Sequence, residues 1–247
     1  MQAIIQAKEV SLKFRLYHSR NRTMKEAFSD FFLKRQVEPY SDFYALNDIN
    51  FTINHGDRVG IVGHNGAGKS TLLKAICGIY PPTSGQLVVR GKVSPLLDIG
   101  AGFNVELSGR DNIHLNGAIL GYPKEKLKDI EREVIAYTGL EEFIDTAVKY
   151  YSTGMYMKLA FAVATALPPD ILILDELFAG GDAAFIDKAL ERMNKFINQS
   201  SIMVFVSHQP HLLLELCNRI IWMEKGKIID DGVPAVVMQR YLEKMKG

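Results

Sequence analysis

The sequence predicts an α/β fold with a mainly helical insert. Three observations carry that expectation. Two short, fully apolar runs, Ile171–Leu174 and Ile202–Val206, suit parallel strands covered on both faces. A glycine-rich turn, Gly63–Ser70, stands between an apolar run and a helical pattern. A long stretch, 110–167, is mostly helical in its apolar spacing.

In chain order, Ile4–Val10 reads as a strand that can run on to Tyr17. A polar, basic stretch follows, His18–Arg22. In Thr23–Arg35, the residues Met24, Ala27, Phe28, Phe31 and Phe32 fall on one helical face, Thr23 and Glu26 have capping-box spacing, and Pro39 closes the segment. Arg58–Val62 reads as a buried strand. Ser70–Cys77 reads as a helix stopped by Gly78 and then Pro81-Pro82. Residues 86–99 read as strands with a turn at Gly91, and the helical insert spans roughly 95–165. Ile220–Met223 and Lys227–Ile229 flank Glu224-Lys225-Gly226 as a hairpin, and a helix from about Val233 to Lys246 ends the pattern.

Bulk properties narrow the function classes. Lys plus Arg is 29 against 28 for Asp plus Glu, a net charge of +1. That balance gives no electrostatic footprint for nucleic acid, and none is expected as a partner. Cys77 and Cys217 lack metal-ligand spacing and read as buried, reduced thiols. Met1–Lys8 has no basic start followed by an apolar run, so no signal peptide is expected. No run reaches the ~18 apolar residues of a membrane span. Any membrane role is expected to come through a partner.

Gly63-His64-Asn65-Gly66-Ala67-Gly68-Lys69-Ser70 matches G-x-x-x-x-G-K-[ST], with a strand before it and a helix after it. Glycines let the backbone wrap closely, so that its N–H groups point at phosphate oxygens, and the helix N-terminus adds partial positive charge. Lys69 is expected to reach the β- and γ-phosphates, Ser70 to ligate Mg²⁺, and Thr71 to complete the nucleotide-binding set with Gly63, Asn65, Gly66, Ala67 and Gly68. Ile171–Leu174 then delivers Asp175 and Glu176 to a strand's C-terminal end, where ligands sit in open α/β sheets. Asp175 is expected to hold Mg²⁺, and Glu176 to act as base for, or position, an attacking water. An acidic pair capping a strand is the plainer reading of those two alone. Beside a phosphate loop the ligand reading prevails.

Two further signals are Tyr151-Ser152-Thr153-Gly154-Met155, just before a helical run, and Ser207-His208 at the end of an apolar strand. The order and spacing of phosphate loop, Ser-x-Gly-Met, Asp-Glu and His resembles the nucleotide-binding domain of ABC transporters over nearly the whole chain. The resemblance implies a P-loop NTPase core of ABC ATPase type, with a helical subdomain and an N-terminal antiparallel β region. It implies one ABC ATPase domain over 1–247, with an N-terminal insert at about 18–40. It implies ATP and Mg²⁺ as cofactors, and a head-to-tail dimer in which Ser152 and Gly154 of one copy cap the γ-phosphate held by the other. By the same resemblance His208 contacts the γ-phosphate and holds the attacking water, Asp182 runs along the dimer interface, and Phe14, with Tyr17 as rival, stacks on adenine.

The chain departs from the common pattern. Tyr-Ser-Thr-Gly-Met replaces Leu-Ser-Gly-Gly-Gln, and Leu96–Phe103 carries no glutamine where the family usually has one. These departures, with the insert before Tyr44-Ala45-Leu46, resemble exporters of lipid-linked bacterial polysaccharide such as O-antigen, capsule and teichoic acid. The implied partners are a second copy of the chain, two copies of a polytopic membrane permease and an undecaprenyl-pyrophosphate-linked polysaccharide. The implied location is the cytoplasmic face of the bacterial inner membrane. With the chain ending at Gly247, no C-terminal carbohydrate-binding domain is expected. A soluble ABC-type ATPase not coupled to transport is the competing class. The basic, Phe-rich segment 23–35 has three readings: packing on its own domain, docking on the membrane partner, or lying at the membrane surface against lipid or substrate headgroups.

Overall fold

A computed structural model describes residues 2–17, 40–97, 99–175 and 183–246 of the 247. The expected helix at 23–35, the side chain of Tyr17, and Glu176 and Asp182 lie outside the described residues. The elements are β1 (Ile4–Tyr17), β2 (Tyr40–Asn54), β3 (Arg58–Val62), α1 (Lys69–Ile76), β4 (Ser84–Arg90), β5 (Val93–Leu96), α2 (Gly109–Ile119), α3 (Leu127–Thr138), α4 (Thr153–Ala164), β6 (Ile171–Asp175), α5 (Ala183–Gln199), β7 (Ile202–Val206), α6 (Pro210–Leu216), β8 (Arg219–Glu224), β9 (Lys227–Gly232) and α7 (Pro234–Lys246).

Among the described residues, the strands form two sheets. The larger has the order β5-β6-β7-β3-β8-β9, parallel except for the β8–β9 hairpin. Its side chains alternate between two cores, as the period of two in a strand requires. Ile171, Ile173, Ile202, Val204, Val206, Val59, Ile61, Ile221 and Met223 join α1 and the small sheet on one face. Leu172, Leu174, Met203, Phe205, Ile220 and Trp222 join α5, α6 and α7 on the other. Both faces are covered, which is why β7 and the first four residues of β6 are apolar. Burying a side chain such as Phe205, fully enclosed here, stabilises the fold by about 2–3 kcal/mol.

The smaller sheet is antiparallel, in the order β2-β1-β4. β1 continues to Tyr17 because β2 pairs with it along its full length. The stretch 86–99 divides into two strands: β4 belongs to the small sheet, whereas β5 pairs in parallel with β6 in the large one. Gly91, at φ 124°, makes the crossing, and a Cβ there would lie 2.9 Å from the Asp170 side chain. Helices α2, α3 and α4 enclose a third core around Ile113, Val134, Ile144 and Leu159. Ser108 and Ser152 cap α2 and α4, each accepting a hydrogen bond from the backbone N–H three residues on. α7 opens with Pro234 at its first position, where a missing N–H costs nothing.

Both cysteines are free thiols. Burial pushes them up, Cys77 to about 11 and Cys217 to about 12. Among the described residues no helix is long and apolar enough to cross a membrane.

Candidate functional site

The glycine-rich loop runs from the C-terminal end of β3 into α1. Its path depends on backbone angles that favour glycine: φ is 151° at Gly63, 79° at Gly66 and 104° at Gly68. At two of these positions neighbouring backbone also excludes a side chain. A Cβ on Gly63 would lie 2.3 Å from the Met223 carbonyl oxygen, and one on Gly68 would lie 2.5 Å from the Ala45 carbonyl oxygen. The loop is therefore wedged between β8 and β2. Gly226, in the β8–β9 turn, strengthens the wedge: its N–H donates to Ala67 O at 2.9 Å, and its carbonyl accepts from Asn47 N–H at 2.8 Å.

Lys69 is the first residue of α1 and is 8 % exposed. Its ammonium donates to Gly63 O at 2.7 Å and His64 O at 3.0 Å, which closes the loop around the side chain. A buried ammonium held by carbonyl groups keeps its charge directed into the loop, where an anion would meet it together with the first N–H groups of α1. Ser70 and Thr71 follow on the first turn.

The loop opens on a cavity of about 400 Å³ lined by Phe43, Ala45, Asn65, Gly66, Gly68, Lys69, Ser70, Thr71, Asp175, Val206 and His208. Asp175 ends β6 and stands in register with Val206 at the end of β7. Ser207 then turns the chain: it is 8 % exposed, and its Oγ accepts from Gln209 N–H at 3.1 Å. That turn carries His208 out to the surface beside Asp175. Ligand position at the carboxyl ends of parallel strands is the general rule for this architecture.

The structure thus brings Asn65, Gly66, Gly68, Lys69, Ser70, Thr71, Asp175 and His208 to one wall, with Gly63 and Ala67 buried beneath it. Ser152 and Gly154 stand apart, at the N-terminus of α4. The Ser152 Oγ accepts from Met155 N–H at 3.2 Å, and both Ser152 and Thr153 are exposed.

Phe14, expected to stack on adenine, is not among the residues that line this cavity. Its ring packs edge-on against Tyr80, at 5.3 Å and 81°, and rests on the core under the small sheet. Phe43, which pairs with Phe14 across β1 and β2, is 49 % exposed and lines the cavity. Sequence reasoning missed it. The aromatic cluster Tyr40, Phe43 and Tyr44 was the available signal, but the strand register decides which ring faces the cavity.

Comparison with known proteins follows the same line. A family profile described as ABC transporter matches residues 46–179. The chain is 48 % identical over 210 residues to the O-antigen export system ATP-binding protein RfbB of Myxococcus xanthus, covering 85 % of this chain and 48 % of that protein. It is 35 % identical over 247 residues to RfbB of Klebsiella pneumoniae, covering 99 % of this chain and 100 % of that one. It is 35 % identical over 239 residues to the teichoic acids export ATP-binding protein TagH of Listeria monocytogenes, covering 97 % and 70 %. The chain therefore spans about half the length of the Myxococcus relative and the full length of the Klebsiella one. Among solved structures, an ATP binding subunit of an ABC transporter shares the fold at a TM-score of 0.67 and 21 % identity, with 96 % of this chain and 93 % of that chain covered. A dimeric ATP-binding cassette in a post-hydrolysis state, bound to ADP and Pi, shares it at 0.66 and 20 %, with 93 % and 98 % covered.

Proposed function

Because this chain belongs to the ABC transporter family, we propose that it is the ATP-hydrolysing subunit of an exporter of lipid-linked cell-surface polysaccharide. The observation that carries the reading is the shared cavity: a phosphate-type loop, a strand-end carboxylate and a strand-end histidine meet in it. The relatives' names, in O-antigen and teichoic acid export, support the choice of cargo.

In this reading ATP lies with its phosphates against the N–H groups of Gly66 to Thr71. Lys69 holds the β- and γ-phosphates, as a point charge that moves little because the loop already surrounds it. Phe43 offers its ring to adenine. Ser70 and Asp175 line the same cavity and would supply hard oxygen donors of the kind Mg²⁺ takes. When bound, the metal neutralises charge that builds on the phosphates during transfer. Glu176, next after Asp175, orients the attacking water or takes its proton. His208 contacts the γ-phosphate and holds that water.

The exposed N-terminus of α4, with Ser152 and Gly154, serves the ATP of a second copy. Its capped first turn is a ready anion site, which suits contact with the γ-phosphate across a head-to-tail dimer. Asp182 lies along that interface. The residues 1–247 act as one ATPase domain, bound to two copies of a membrane permease at the cytoplasmic face of the inner membrane, and an undecaprenyl-pyrophosphate-linked polymer is the cargo. Binding of segment 23–35 to permease or headgroups would bring its basic residues to that surface.

The test is Glu176→Gln in cells, reading surface polysaccharide and the internal pool of lipid-linked polymer together. Loss of the surface polymer with accumulation inside is the expected outcome. Normal levels of both would refute hydrolysis-driven export through this site.

A further inference from the structure

The segment after β5 runs from Leu97 to Phe103 and carries no glutamine. Two glycines with positive φ shape it, Gly100 at 88° and Gly102 at 95°. Each is pressed against a different helix. A Cβ on Gly100 would lie 2.4 Å from the Tyr156 hydroxyl oxygen and 2.8 Å from two of its ring carbons. One on Gly102 would lie 3.1 Å from Ile119 Cδ1 and 3.4 Å from Asn116 Oδ1, both on α2. Only glycine satisfies both the backbone angle and the close approach at position 100.

Tyr156 then fastens the segment. Its hydroxyl donates to Gly100 O at 3.1 Å, and the same carbonyl accepts from Phe103 N–H at 3.0 Å. The Phe103 ring meets the Tyr156 ring at 5.4 Å and 65°, an edge-to-face pair. Tyr156 lies one helical turn after Ser152, and its own N–H donates to Ser152 O at 3.0 Å. A short, continuous path therefore joins the Gly100 carbonyl to the residues at the α4 N-terminus. It consists of one hydrogen bond, one rigid ring and one turn of helix.

We propose that Tyr156 is a positioning residue that locks the 99–103 segment to α4, so that a displacement of the segment moves Ser152 and Gly154 with it. The consequence of the lock for turnover rests on the ATPase reading given above; the mechanical link does not.

Tyr156→Phe removes the hydroxyl and keeps the ring, so the fold should persist with Tm within about 4 °C of the parent. Two readouts are taken on the full chain. Amide hydrogen exchange without nucleotide should rise about fivefold in both 99–103 and 152–156, the factor set by one hydrogen bond. The kcat for ATP should fall severalfold, while the Kd for a non-hydrolysable ATP analogue stays unchanged, because the phosphate loop of the same copy is untouched. Faster exchange in 99–103 alone, or unchanged exchange in both, overturns the proposal. So does a loss of kcat matched by an equal weakening of Kd, which would mark a general structural defect. If the parent chain itself turns over no ATP, the ATPase reading fails, and the exchange pattern alone decides the lock.

Discussion

Phe43 and Phe14 sit opposite one another on neighbouring strands, and replacing each with Ala should separate binding from folding. Phe43 is 49 % exposed at the cavity wall. Stacking of a base on an aromatic ring is worth about 1–3 kcal/mol by alanine substitution. Phe43→Ala should therefore raise the Kd for an ATP analogue by a factor of about 5 to 150. Its half-exposed ring contributes little to the core, so Tm should move by about 2 °C or less. Phe14 has the reverse profile. Its removal forfeits the edge-to-face pair with Tyr80, about 0.5–1.5 kcal/mol, and part of its apolar burial, for a total of about 2–3 kcal/mol. Tm should fall by about 4–12 °C while Kd is retained by the folded fraction. Fluorescence titration with a labelled, non-hydrolysable analogue, paired with a thermal melt, reads both quantities. A Phe14→Ala variant with weakened binding and unchanged Tm would refute the assignment, as would a Phe43→Ala variant that binds like the parent.

Gly68→Ala should lower Tm and abolish analogue binding, because the new methyl meets the Ala45 carbonyl at 2.5 Å on a backbone already at φ 104°. Gly66→Ala, with φ 79° and open space around its Cβ position, should show the backbone strain alone, about 1–2 kcal/mol in the same melt. The Arg110 guanidinium binds Asp145 through two hydrogen bonds, 2.7 and 3.1 Å, and holds its carboxyl below the usual carboxylate range. A depressed folded-state pKa gives stability that is present above the unfolded pKa and lost as pH falls through the folded one. Asp145→Asn should thus melt below the parent at neutral pH, and the gap in Tm should close as the medium is acidified past the carboxylate range.

What the sequence determined by itself is local. The phosphate loop was legible because eight consecutive residues set their own backbone path, and Lys69 and Ser70 follow from where the loop meets a helix. Asp175 and His208 were legible because each ends a run of apolar residues, and a strand buried on both faces can deliver a polar side chain only at its end. Tertiary structure decided whatever depends on pairing partners far along the chain. Residues 86–99 read as strands on either side of a turn at Gly91, but nothing local says that they belong to different sheets; hydrogen bonding to β1 on one side and β6 on the other decides that. Phe14 and Phe43 are equally aromatic, and the packing of Tyr80 beneath one of them leaves the other for the cavity. Gly68 reads as a phosphate-loop glycine, yet the Ala45 carbonyl excludes a side chain there as firmly as the backbone angle does. Tyr156 and Gly100 are separated by 56 positions, and no periodicity links them. A strand or loop records its conformation in contiguous residues, whereas register and close approach are set by the simultaneous packing of elements that the sequence keeps apart.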